Sequence, residues 1–299
     1  MSEAIRVRVP AKVNLALLVG GSDEAGYHEL GTIFQAVSLY DDIEVLPAPP
    51  GQFSLELSGL GAEWLPTDEA NLAVRAARLL ASAYRVEAGA RMRIHKRIPI
   101  AGGMAGGSAD AAGALLACAA LWDVAASQEE LLALGAQLGA DVPFCLLGGV
   151  AIGRGRGDQL IPLLTRGKMC WVFATSHRGL STPEVFRRFD ELRPPGEVGL
   201  PERLLTALVS GDLPGIARGL VNDLQQASLD LAPELGEVLE TGSAAGALAA
   251  LVSGSGPTCA FLVASEHQGL VVADALSALP QVDQTHRACG PVPGARLRG

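Results

Sequence analysis

The segment Ala101-Gly102-Gly103-Met104-Ala105-Gly106-Gly107-Ser108 constrains this chain more than any other stretch. It follows the strand-like run Arg91 to His95 and precedes Ala109 to Leu121, a small and almost wholly apolar run that reads as a helix buried under a sheet. A turn of this kind points its backbone N–H groups and the helix N-terminus at one place, which is the geometry of an anion site. Glycines serve there because a side chain would hold the backbone away from phosphate oxygens, and because several positions call for positive φ. Ser108 can cap the helix or meet a phosphate or its magnesium. Close strand–helix packing alone would also favour such a turn, so its ligand depends on the company it keeps. No lysine precedes Ser108, so this is not a Walker A loop, and the glycines do not fall at Gly-x-Gly-x-x-Gly.

With 299 residues and no low-complexity linker, the chain is expected to form two closely packed domains. Glycine density rises over Gly148 to Gly157 before a new strand at Cys170 to Ala174, which places the division near residue 158, giving 1–158 and 159–299. Hydrophobic residues make up 49% and charged residues 18%, which excludes disorder and allows a large core. No apolar run approaches the roughly 18 residues of a membrane span, and the first residues lead straight into a strand pattern, so a cytoplasmic protein with no membrane association is expected. The five cysteines are scattered without a Cys-x-x-Cys pair and read as reduced core thiols. A net charge of -9 argues against nucleic acid, which demands a basic surface. It does not argue against a nucleotide, whose phosphates need only local amides and one or two cations.

Ile5 to Val9 alternates as a half-buried strand and runs on through Lys12 and Asn14, which would then share a face. Further strands are expected at Asp42 to Leu46, Phe53 to Leu57, Ala249 to Val252 and Thr258 to Val263. Helices are expected over Asn71 to Tyr84, from a capping box at Ser127 and Glu130 to about Gly139, and in the second half over Pro183 to Leu192, Glu202 to Leu208, Pro233 to Glu240 and Glu266 to Leu279.

Asp141 stands alone among small and apolar neighbours, where a carboxylate is costly without a cationic partner. Lys12, set between apolar residues, could be that partner. Either alone has an ordinary reading, as a helix-terminal aspartate or a surface lysine; together they suit phosphoryl transfer, which needs positioning, a base for the hydroxyl and cations against phosphate charge. Ser253-Gly254-Ser255-Gly256-Pro257-Thr258 is a second glycine-rich turn, and Tyr27-His28 is a ring pair suited to stacking on a base and hydrogen-bonding its edge.

Three segments in order, Pro10 to Leu15, Pro99 to Ala112 and Val252 to Thr258, resemble the three motifs of the GHMP kinase superfamily across nearly the whole chain. Within it, Gly26 to Leu30, Lys96 to Pro99, Gly139 to Phe144 and Ser253 to Cys259 look like the branch that phosphorylates a cytidine diphosphate-linked methylerythritol. The resemblance implies an α+β fold of two domains, a ribosomal-S5-like N-terminal domain that binds ATP and a ferredoxin-like α/β sandwich, with ATP and substrate meeting in the cleft between them. It implies transfer of the γ-phosphoryl group to the 2-hydroxyl of the methylerythritol moiety, in non-mevalonate isoprenoid synthesis, by a monomer or weak homodimer. Asp141 would be the base and Lys12 its orienting cation. ATP would meet Asn71 and Lys96 near adenine and ribose, and Pro99, Gly102, Gly103, Met104, Ala105, Gly106, Gly107 and Ser108 at its phosphates. The substrate would meet Asn14, Ser253 and Gly254 at the methylerythritol end, Tyr27 and Phe186 as stacking rings, and His28 at the cytosine edge. Mg²⁺ is expected with ATP, its protein ligands unassigned. Ala101 and Ala105 stand where this loop often carries glycine, and Ala109 replaces a second serine; the methyl groups are tolerable where φ is negative. The alternatives are another kinase of the superfamily acting on a smaller alcohol such as homoserine, which the Tyr27-His28 pair disfavours, and a non-catalytic ligand sensor on the same fold.

Overall fold

The computed structural model describes residues 4–23, 26–100, 102–192, 196 and 198–298. Its strands are β1 (Ile5–Ser22), β2 (His28–Ala48), β3 (Phe53–Gly59), β4 (Gly89–Lys96), β5 (Val150–Arg154), β6 (Gln159–Pro162), β7 (Met169–Ser176), β8 (Val221–Asn222), β9 (Ala249–Val252), β10 (Cys259–Val263), β11 (Val282–Gly290) and β12 (Arg296–Arg298). Its helices are α1 (Leu72–Tyr84), α2 (Gly106–Leu121), α3 (Gln128–Leu138), α4 (Val142–Leu147), α5 (Thr182–Leu192), α6 (Glu202–Ser210), α7 (Leu213–Gly219), α8 (Gln225–Leu231), α9 (Glu234–Ala244) and α10 (Glu266–Ser277). The fold is therefore α+β, as expected.

Long antiparallel strands β1 and β2 are the spine. Their register slips between Pro10 and Ala11 and between Asn14 and Ala16. Proline has no N–H for the ladder, so a break beside Pro10 is where the pairing can yield, and the two slips re-aim the strand on either side of Lys12. The first sheet runs β12-β1-β2-β4-β3, with β5 and then β6 added beside β2 and β8 beside β1. The second runs β11-β7-β10-β9. Residue 158, the expected division, falls between β5 and β6, which pair with each other, and β12 returns from the chain's end to the first sheet.

Helix α2 lies against β1 and β2, nearly all of it buried. A helix apolar on every side must be enclosed, and small residues let it approach closely: a Cβ on Gly113 would lie 2.0 Å from Ile43 Cδ1. Helix α1 begins where Asn71 accepts a hydrogen bond from the Ala73 N–H, and α3 carries the reciprocal capping box between Ser127 and Glu130.

Two features differ from expectation. The strand foreseen at Asp42 to Leu46 is only the far part of β2, whose segment Gly31 to Val37 is buried throughout, so it carries no alternation to read. Helix α4 had no counterpart among the expected helices; Asp141 is its N-cap residue, with Pro143 in the first turn where a missing N–H costs nothing. Helices α7 and α8 and the strands β5, β6, β8, β11 and β12 were not foreseen. Strand β11 has buried residues only at Val282, Ala288 and Gly290 and a polar middle, so its pattern lacks an apolar stripe.

Candidate active site

A cleft of about 390 Å³ opens over the turn between β4 and α2, lined by Lys12, Asn14 and Phe34 from the long strands, Pro99 and the glycine-rich loop, Asp141 and Gly254. The loop is fixed from below by Asp41, a wholly buried residue of β2. Its Oδ1 accepts from the N–H groups of Arg97 at 2.6 Å and Ile98 at 2.9 Å, and its Oδ2 accepts from Lys96 Nζ at 2.5 Å. Lys96 also donates to Asp110 Oδ2 at 2.5 Å and to the Gly106 carbonyl at 3.3 Å.

This corrects one expectation. Lys96 was assigned to the nucleotide, yet only 1% of it is exposed and its three protons go to Asp41, Asp110 and Gly106. It ties the strand end to the start of α2. Two carboxylates around one ammonium cannot both be ionised cheaply: burial, with the neighbouring Asp41 charge, drives Asp110 well above the usual carboxylate range despite Lys96. Asn71 is likewise occupied, accepting from Ala73 N and donating from Nδ2 to the Pro66 carbonyl at 2.8 Å, while its neighbour Leu72 lines the cleft.

The loop itself is held by backbone. Met104 is buried, and its carbonyl accepts from the Lys12 N–H. Gly103 has φ +66°, and a Cβ there would lie 2.0 Å from the Ser253 carbonyl oxygen, so glycine is required both for conformation and for the approach of the second glycine-rich turn. Ser253 is fully buried and donates from Oγ to the Gly103 carbonyl at 3.3 Å; Gly254 reaches the cleft. Ala105 does not have the negative φ expected for an alanine: φ is +61°, at the N-cap of α2. Ala101 lies outside the described residues, and Ala109 is buried within α2. Gly102, Gly106, Gly107 and Ser108 all line the cleft.

Lys12 and Asn14 share a face, as the strand pattern required. Lys12 Nζ donates to Asn14 Oδ1 at 2.7 Å, and Asn14 Nδ2 donates to Thr32 Oγ1 at 2.8 Å, so both ends of the amide are engaged in holding the lysine. Across the cleft, Asp141 Oδ2 lies 3.8 Å from Lys12 Nζ, with about a third of its side chain open to solvent.

A second cavity of about 450 Å³ adjoins the first, sharing Leu30, Thr182 and Phe186, and contains Tyr27, His28, Arg156 and Asp190. Tyr27 is half exposed with the Arg156 guanidinium 3.7 Å above its ring. The His28 ring centroid is 5.0 Å from that of Phe186, and its Nε2 meets Asp190 Oδ1 at 2.8 Å. Thr32, Asp41, Asp110, Arg156 and Asp190 escaped the sequence reading. Only Asp41 and Asp110 carried a signal, as carboxylates whose neighbours are mostly apolar.

The chain matches the model of the GHMP kinases N terminal domain over residues 71–149 and that of the GHMP kinases C terminal domain over 204–281. It is 55% identical to the 4-diphosphocytidyl-2-C-methyl-D-erythritol kinase of Cutibacterium acnes, covering 98% of this chain and 96% of that one. The chain belongs to the GHMP kinase family. Within that family it is 52% identical to the kinase of the same name from Thermobifida fusca, over 98% of both chains. A solved 4-(cytidine 5'-diphospho)-2C-methyl-D-erythritol kinase superposes with a TM-score of 0.77 at 36% identity, covering 98% of this chain and 99% of that one. Homoserine kinase from Cytophaga hutchinsonii superposes with a TM-score of 0.78 at 19% identity, covering 100% and 98%, which speaks for the fold alone. As a GHMP kinase this is an ATP-dependent enzyme with a small-molecule substrate. Among the described residues no helix is long and apolar enough to cross a membrane.

Proposed function

We propose that the chain phosphorylates the 2-hydroxyl of 4-diphosphocytidyl-2-C-methyl-D-erythritol with ATP, in the non-mevalonate route to isoprenoid precursors. The observation that carries this reading is the approach of Lys12 Nζ to Asp141 Oδ2, 3.8 Å apart in the cleft that the glycine-rich loop lines, with a ring-lined cavity adjoining. The high identity to kinases of that name supports the same substrate.

In this mechanism the loop amides and the N-terminus of α2 hold the phosphates of ATP. Asp141 accepts the proton of the substrate hydroxyl as it attacks the γ-phosphorus, and the bond to the β–γ bridging oxygen breaks, leaving ADP. Lys12 has three protons and gives one to Asn14, so it can orient Asp141 and still donate to a phosphoryl oxygen. Asn14 acts chiefly by holding Lys12. Mg²⁺ fits as a hard cation satisfied mainly by phosphate oxygens and water, with Ser108 Oγ the hydroxyl the loop offers; when bound it would offset phosphate charge. Tyr27 and Phe186 would flank the cytosine, with the His28 imidazole fixed by Asp190 beside it.

Asp141→Asn is the test: kcat should fall at least about a hundredfold while both KM values stay within a small factor, because the amide keeps the shape and loses the base. Unchanged turnover would remove Asp141 from this role. Comparing the cytidine substrate with its uridine analogue tests the second cavity, since a buried polar edge left unmatched discriminates strongly. Equal kcat/KM for the two would show that the base is not read.

A further inference from the structure

A further cavity, of about 610 Å³, shares no lining residue with either part of the proposed active site. Two thiols and a carboxylate converge in it. Cys170 on β7 and Cys289 on β11 are directly opposed in the antiparallel register, so their side chains project from the same face of the second sheet. Glu266 enters from the first turn of α10, a position that favours the ionised carboxylate. Cys170 Sγ, Cys289 Sγ and a Glu266 carboxylate oxygen all lie within 4.8 Å of one another.

We propose that Cys170, Cys289 and Glu266 form a binding site for a thiophilic divalent cation, Zn²⁺ being the best match, with water from the cavity as fourth ligand. Tetrahedral Zn²⁺ with Zn–S bonds of about 2.3 Å needs its sulfurs roughly 3.8 Å apart, so the observed cluster requires at most a small side-chain adjustment. The mixed sulfur and oxygen set selects Zn²⁺ over Mg²⁺ or Ca²⁺, which prefer oxygen alone.

The surroundings fit the ion as well. Zn²⁺ with two thiolates and one carboxylate carries a net charge of minus one. Lys168 Nζ lies 2.5 Å from Glu266 Oε1, which brings the site to neutrality and leaves the other carboxylate oxygen for the metal. A ligating carboxylate held by an outer hydrogen bond is the usual support of such centres. Cys118, Cys145 and Cys259 lie apart from it in the core, and among the described residues there is no other cluster of this kind. The ion would join β7, β11 and the start of α10, next to the point where the Cys289 N–H donates to Ser38 Oγ of β2 at 2.9 Å.

The test uses the full chain, reduced, stripped with a chelator and titrated with Cd²⁺ and Zn²⁺. Cd²⁺ should produce a thiolate charge-transfer band in the ultraviolet that saturates at one equivalent, and Zn²⁺ should abolish it by competition and raise the melting temperature. Cys289→Ser, at a half-buried position that tolerates the change, should lose the band, and Glu266→Gln should weaken Zn²⁺. Lys168→Ala should weaken it by about tenfold to a hundredfold, as loss of an outer partner does. Kinase turnover, which depends on the other cleft, should be unaffected in all three. No band in the reduced protein, or a band retained in Cys289→Ser, overturns the proposal; so does a Cys170–Cys289 disulfide that forms in air while the reduced protein binds no metal.

Discussion

Replacing Lys96 by methionine separates two roles for this residue, as a nucleotide ligand and as a buried brace. Its ammonium is held by Asp41, Asp110 and the Gly106 carbonyl, and only 1% of the residue is exposed. Methionine keeps an unbranched chain, one atom shorter, and removes the charge. Asp41 then keeps the N–H groups of Arg97 and Ile98 but loses its cation, and Asp110, whose Oδ1 already lacks a partner, loses its remaining bond. Breaking a buried pair from one side costs about 3–5 kcal/mol, against a total stability of about 5–15 kcal/mol for a typical domain. Adding Asp41→Asn should recover part of this, because Asp41 carries the charge that the ammonium balances and the amide oxygen can still accept from Arg97 and Ile98; the double mutant should be more stable than the sum of the single changes by about 1 kcal/mol or more. Urea unfolding followed by circular dichroism measures each corner of the cycle. The KM for ATP, taken on folded protein at low temperature, should change less than about tenfold, or about 1.4 kcal/mol. A Lys96→Met protein of unaltered stability with a much raised KM for ATP would refute the structural reading, and strict additivity with Asp41→Asn would refute the network.

Three other consequences are measurable. Asp190→Ala should release the His28 ring and raise the KM for the cytidine substrate roughly fivefold, about 1 kcal/mol for one hydrogen bond, with the KM for ATP unchanged as the internal control. Ala105→Gly should stabilise the chain by about 0.5 kcal/mol or more, since relieving a left-handed alanine gains about 1–2 kcal/mol and the freer unfolded glycine returns about 0.4–1 kcal/mol; loss of stability in thermal unfolding would contradict it. For Asp42, burial pushes the carboxyl up, but hydrogen bonds and charge from Arg8 and Arg97 outweigh it and draw the pKa down to about 2. A group whose pKa is lowered by folding stabilises the fold above its unfolded value and loses that contribution as pH falls through its folded one, so stability should drop between about pH 4 and pH 2. Asp42→Asn should flatten that part of the curve.

Much of the site was legible because its chemistry is local in sequence. The strand, turn and helix around Gly102 to Ser108 have the geometry of an anion site, to which Lys12 and Asp141 give the context, and a strand alternates its faces, so Lys12 and Asn14 were expected on one face, where they meet. Helical spacing revealed α1, a run of small apolar residues revealed α2, and Ser127 with Glu130 three residues on revealed the capping box of α3. What could not be read is where pairing partners are distant: Asp41 and Asp110 converge on Lys96 from positions 55 and 14 residues away, and Asp190 reaches His28 across 162. No pattern along the chain encodes those encounters.

The glycine-rich loop and its helix, the lone Asp141 and the Lys12–Asn14 face were thus determined by sequence alone, since each follows from backbone geometry or from the cost of an isolated charge. Tertiary structure decided that Lys96 is sealed under the loop, that Asn71 is spent on a helix cap, and that Ala105 bears the left-handed turn. Ala105 has no polar side chain, and its φ follows from how the turn closes onto α2; Lys96 and Asn71 share another physical reason. A side chain's spare hydrogen bonds go to whatever packing brings within reach, and only the folded chain fixes whether that is a ligand or another part of itself.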